Sequence, residues 1–272
     1  MGNLWKGFKE HRTFRFTSLL VIALVVLAPV IAPYNPLEAV MKDANQAPSM
    51  AHLFGTDKLG RDVLSRILYG GAYSLSSVLA LVAIIFCVGT FLGLVAGYFG
   101  GLIDTVIMRI ADMMISFPGV ILAIAIAGIM GGSLVNAMIA LTAVTWTKYA
   151  RLSRSMVLKI RKRDFVDAAI VSGGTDAHIL WQHIMPNVVP ILVITAVSDI
   201  GAMMMELAGL SFLGFGSQPP APEWGLMLNE GRQQLQTAPW LMVFPGLAIF
   251  ISVVIFNLWG DALRDVLDPR DN

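Results

Sequence analysis

Six apolar stretches, most of them near the length of about 20 residues that a helix needs to cross a bilayer core, limit this chain more than any other feature. They cover residues 16–32, 73–98, 117–129, 134–149, 188–209 and 241–260. The third is short and is read as one span with the more polar 103–116 before it. Backbone polar groups inside lipid must be satisfied within the segment, so the predicted fold is all-α, with six transmembrane helices. Only 14% of residues are charged, where a soluble domain has about a quarter. The net charge of +1 gives no footprint for nucleic acid, which is not expected as a partner. Cys87 has no second cysteine to pair with and reads as a small buried hydrophobe.

Lysine and arginine in the loops set the orientation. With both termini cytoplasmic, 14 of the 19 lie on inner segments. Residues 1–15 then form a cytoplasmic tail and 16–272 a single membrane domain. Lys6, Lys9, Arg12 and Arg15 precede the first span as they would a signal peptide. Its length, Pro29 and Pro33, and the lack of a small-x-small cleavage site make it a retained anchor. Trp224 and Trp240 are expected at the outer interface and Trp259 at the inner one.

Two external loops are long, 34–72 and 210–239. In the first, Gly55, Thr56 and Asp57 read as a turn. Val63, Leu64, Ile67 and Leu68 share one helical face with Arg61, Asp62 and Arg66 away from it, which predicts a short amphipathic helix lying on the membrane. In the second, the density of Gly and Pro rules out a straight span, and 224–236 is expected as a short helix over the outer mouth. On the inside, Gly100 and Gly101 break the chain, and Arg109 with Asp112, three apart, read as an ion pair. The cations of 151–154 and 161–163 read as topology signals that meet anionic lipid.

The inner segment 150–186 carries the most information. It reads as two short helices broken at Gly173 and Gly174. Asp164 and Asp167 lie in the first turn of the first, at its positive dipole end. Ala168 and Ala169 allow close approach of another surface. Gly173 ends the helix at positive φ, Thr175 or Asp176 caps the next one, and Pro186 starts the fifth span. An elbow with a small-residue face therefore projects below the membrane.

Here the chain resembles a known family. Asp167-Ala168-Ala169, three residues, Gly173, ten residues, then Ile184-x-Pro186 is similar to the coupling motif of ATP-binding-cassette (ABC) importer permeases. Asp167 stands where Glu is usual and Met185 where Leu is usual. The stretch 55–66 is similar to the first external loop of the C-type permease of peptide and nickel importers. Residues 211–216, 223–225 and 260–269 resemble that subunit's last third, so the likeness runs from about residue 15 onward. It implies a type I importer permease fold in a bacterial inner membrane. It also implies a homologous second permease as heterodimer partner, two cytoplasmic ATPase subunits and an external solute-binding protein. The elbow residues Asp164, Asp167, Ala168, Ala169, Gly173, Ile184 and Pro186 would couple to the ATPases. ATP and Mg would be used there, with no cofactor and no catalysis in this chain. The sequence agrees on one independent point, since it contains no Gly-x-x-x-x-Gly-Lys-Ser/Thr phosphate loop.

Asp199 and Glu206 sit inside the fifth span, where a carboxylate costs about 2.5–3.5 kcal/mol on insertion scales and is functional by default. Asp199, Met203 and Glu206 fall at i, i+4 and i+7, one face, which is expected to line the pathway and screen a cationic solute. The stretch 199–214 looks closer to nickel-type members than to dipeptide ones, and both solute classes stay open. The alternative is that Asp199 bonds to the second permease and the methionines pack. Oxygen and thioether donors alone are a poor nickel set, and His11, His52, His178 and His183 all lie outside the spans, so no metal site is expected. His178 and His183 read as surface or hinge residues and His52 as an entry contact. A stand-alone ion-coupled transporter or channel would leave the elbow unexplained. A membrane-embedded enzyme would need a catalytic pairing that the spans lack.

Overall fold

The computed structural model describes residues 15–16, 18–19 and 30–267. The tail 1–15 and the first expected span, 16–32, fall almost wholly outside them. Eight helices carry the described fold. Helix α1 is Val63–Phe99, α2 Gly101–Ile115, α3 Gly119–Met130, α4 Leu134–Ile160 and α5 Asp164–Val171. Helix α6 runs Asp176–Phe212 with π-helical turns at Ile179–Ile184, α7 is Trp224–Gly231 and α8 Trp240–Leu267. Helices α1, α6 and α8 are long and apolar enough to cross a membrane, and the pair α2–α3 makes a fourth if its two halves form one span. Helix α4 has the length, but its C-terminal half carries Lys148, Arg151, Arg154 and Lys159.

The third expected span is not one helix. Helices α2 and α3 meet at 93°. Pro118 stands just before α3 with ψ 116, outside the helical region. It brings no N–H and turns Phe117 away from helical geometry, so the chain folds back there.

The expected surface helix over 63–68 is instead the start of α1, 37 residues long. At 1.5 Å per residue that is about 55 Å, so α1 rises well beyond the bilayer core of about 30 Å. Arg61 and Arg66, expected to face water, are 2% and 1% exposed. Arg61 Nε donates to Asp57 Oδ2 at 2.6 Å, and Arg66 Nη2 donates to Glu230 Oε2 at 2.9 Å. Arg61 reaches both Glu230 oxygens at 3.2 Å. Glu230 arrives from α7, so a local pattern could not show this charge cluster. Asp62 caps α1, accepting from Ser65 N at 2.8 Å.

Helices α1 and α4 touch along Gly89, Gly93 and Gly97. A Cβ on these would lie 2.5 Å from Trp146 O, 2.3 Å from Ala150 O and 2.8 Å from Val157 Cβ. Small residues four apart bring two helices to backbone contact, which is how helices associate in lipid. Further along α4, Arg151 bonds Asp112 and Arg154 bonds Asp104, both on α2, while Arg161 Nη1 donates to Tyr98 O at 2.6 Å. These cations fasten α4 to its neighbours, beyond any part in topology. The expected Arg109–Asp112 pair is replaced by Arg151–Asp112, and Arg109 is exposed.

Helix α7 lies within the fold rather than on its surface. Glu223 caps it, accepting from Gly225 N and Leu226 N at 2.8 Å each. Burial pushes the Glu223 carboxyl above its ordinary range despite those bonds. Trp224 is 3% exposed and donates to Ile67 O at 3.0 Å, so it is a core residue and not part of an interfacial belt. Cys87 is exposed on the flank of α1, contrary to the buried reading.

Candidate functional site

The elbow forms as its composition dictates. Asp164 and Asp167 occupy the first turn of α5. Gly173 has φ 81 and its N–H closes the turn onto Ile170 O at 3.0 Å. Thr175, not Asp176, caps the next helix, its hydroxyl accepting from His178 N at 3.3 Å. Asp176 accepts from Tyr98 OH at 2.8 Å, which ties the elbow to the C-terminal end of α1. Val166, Ile179 and Ile184 anchor it in the core. On the other side Phe165 and Ala168 are exposed and Val171 reaches 88% exposure, and Ile170, one turn from Val166, is exposed too. Ala169 is half-buried. Pro186 stands in the first turn of the regular helical stretch Met185–Phe212, and the π turns carry helical backbone ahead of it from Asp176. The π turns before Pro186 widen the helix where its ring and missing N–H would disturb the ordinary ladder. They also bring His178 and His183 side by side, ring centroids 5.5 Å apart.

Above the elbow, Asp199 on α6 meets α4. Lys148 Nζ lies 2.7 Å from both Asp199 oxygens, and Tyr149 OH donates to Oδ2 at 2.9 Å. Two turns further along α6, half-buried Glu206 opens into a cavity of about 350 Å³ lined also by Val120, Leu141, Gly209 and Leu213. Met203, one turn from Asp199 on the same helix, is 6% exposed and packs in the core. Lys148 is a site residue by its contact with Asp199, although by sign alone it is one more cation of 148–163. Its signal was present, since it falls inside the stretch 134–149 and complements an acid in another span. His52 Nδ1 lies 2.9 Å from Asp62 Oδ1, beside the cap of α1. Among the described residues no group of three or more His, Cys, Asp and Glu side chains is placed to hold a metal ion.

The arrangement can do two things. It can offer an apolar elbow to another protein, and it holds both signs of charge along one seam between helices.

Three relatives are similar over nearly the whole chain. The dipeptide transport system permease DppC of Alkalihalophilus pseudofirmus is 43% identical over 93% of this chain and 83% of its own length. The glutathione transport system permease GsiD of Pectobacterium atrosepticum is 44% identical over 98% and 90%. The nickel transport system permease NikC of Escherichia coli is 42% identical over 93% and 93%. Among solved structures, a chain of the MetNI methionine ABC transporter in inward-facing conformation matches with a TM-score of 0.53 at 20% identity. It covers 71% of this chain and 94% of that one, which is agreement in fold. Residues 89–271, which hold the elbow and the seam together, match the family described as binding-protein-dependent transport system inner membrane component, and this chain belongs to that family.

Proposed function

We propose that this chain is one of two unlike permease subunits of an ATP-driven importer, with six spans and both termini in the cytoplasm. Two separate ATPase subunits, using ATP and Mg, receive the elbow, and an external binding protein delivers the solute. The observation that carries this reading is the elbow's outward face of Phe165, Ala168 and Val171. Apolar side chains this exposed, next to two acids at a helix start, are the mark of a surface awaiting a protein partner. Asp164, Asp167, Ala168, Ala169, Gly173, Ile184 and Pro186 shape or anchor that surface.

The solute is a small peptide-like zwitterion. Identity is even across the dipeptide, glutathione and nickel relatives, so it does not choose among them. The seam favours a zwitterion, because it offers both signs of charge, Lys148 paired with Asp199 and Glu206 two turns along. Asp199 and Glu206 face the pathway and Met203 supports them from behind.

The test is purification of the assembled transporter followed by uptake into proteoliposomes. The subunit should copurify with a second permease and ATPase chains, and labelled dialanine should enter faster than nickel ion in the presence of binding protein. Ala168→Trp should remove ATPase binding while insertion continues. Transport by this chain alone would defeat the proposal.

A further inference from the structure

Helices α4 and α6 lie antiparallel, and their facing residues keep one register. Leu141 and Glu206 line the 350 Å³ cavity. Seven residues along each helix come Lys148 and Asp199, bonded to each other. Eleven further along α4 and twelve back along α6, Lys159 and Asn187 line a groove of about 890 Å³ with Leu152, Met156 and Ile191. One seam therefore holds an outer cavity, an ion pair and an inner groove in sequence. At 1.5 Å per residue the pair sits about 10 Å inward of Glu206 and about 17 Å from the level of Lys159.

We propose that the Lys148–Asp199 bridge is a charge gate that divides the outer cavity at Glu206 from the inner groove, and that it parts to let a charged solute through. This rests on the pathway reading of the seam given above. Three features suit a gate better than a strut. Lys148 is 52% exposed and Asp199 17%, so the bridge stands at an open surface where water can replace it. A lysine on a flexible stem can swing away, and Tyr149 OH keeps Asp199 partnered while it does. A zwitterion offers each partner a substitute, its carboxylate for Lys148 and its ammonium for Asp199, so separating the pair in its presence leaves neither charge bare.

The test uses the assembled transporter in proteoliposomes, with Cys87→Ser and Gly209→Cys in this chain. Gly209 lines the outer cavity, and a Cβ there has no atom within 4 Å, so the thiol enters open space. A membrane-impermeant cationic methanethiosulfonate is applied from the elbow side, and modification of this chain is followed by mass spectrometry. With the bridge intact, labelling is slow. Lys148→Met and Asp199→Asn should each speed it at least ten-fold, and the swap Lys148→Asp with Asp199→Lys should slow it again. Simple electrostatics on the cationic probe would move the two single variants in opposite directions. Unchanged rates in both, with the thiol still reactive, would overturn the gate and leave the pathway standing. A thiol that no nucleotide state exposes from either side would overturn both.

Discussion

The elbow's turn makes a quantitative demand at Gly173. Its φ of 81 lies where a side chain costs about 1–2 kcal/mol, yet a Cβ there meets nothing within 4 Å. The penalty for substitution is thus conformational and not steric. Gly173→Ala should lower the population of the formed turn by a factor of about 5–30. Gly173→Asn should be milder, since asparagine enters this region several-fold more readily than other residues. A β-branched residue such as valine should be worse than alanine. Gly173→Pro should abolish coupling, because its φ is held near −65° and it has no N–H for Ile170 O. The assay is binding-protein-stimulated ATP hydrolysis by the reconstituted complex, normalised to the amount of subunit in the membrane. The expected order of activity is Gly, Asn, Ala, Val, Pro. Valine equal to wild type, or asparagine no better than valine, would refute the argument that backbone conformation here serves coupling.

Gly93→Ala should destabilise the assembled permease by about 1–3 kcal/mol, because its Cβ meets Ala150 O at 2.3 Å, whereas Gly209→Ala in open space should leave thermal unfolding unchanged. Glu230→Gln should lower stability by about 3–5 kcal/mol, since Arg61 and Arg66 would stay buried with Asp57 alone; unfolding in detergent measures it. Glu223 has a raised folded pKa, so its stabilising term is present below the ordinary carboxylate range near 4.3 and is lost as pH rises through the raised value. Glu223→Gln should flatten that part of the melting temperature against pH, and an unchanged slope would count against burial as the cause.

Local chemistry was legible in the sequence and distant chemistry was not. The elbow was readable residue by residue because its determinants are short-range: dipole-placed acids, a glycine that must take positive φ, a threonine cap. The spans within α1, α6 and α8 are legible as hydropathy, whereas the α2–α3 bend is marked only by Pro118 inside a short apolar run. The charge cluster at the start of α1 was out of reach, since Arg61 and Arg66 look amphipathic until Glu230, more than 160 residues on, supplies their partner. The Gly89-Gly93-Gly97 spacing was plain in the sequence, and what it packs against was not. Lys148 resembles the other cations of α4 by sign, and its partner Asp199, 51 residues on, is what sets it apart.

The connection between elbow and seam follows from the order of the elements. Helix α4 enters the elbow at Ile160 and α6 leaves it at Asp176, so the two helices that carry Lys148 and Asp199 hang from opposite ends of one short segment. From Asn187 to Asp199 is twelve residues, about 18 Å of helix. A tilt of about 10° pivoting near the inner groove would then move Asp199 by about 3 Å, more than a 2.7 Å ion pair tolerates. The π turns at Ile179–Ile184 and the prolines at 186 and 190 are where α6 would yield to such a push, since their hydrogen-bond ladder is already irregular. Replacing Pro190 by alanine should stiffen that stretch. Slower binding-protein-stimulated hydrolysis with the ATPases still bound is the expected result, and unchanged turnover would mean that the motion is carried by another route.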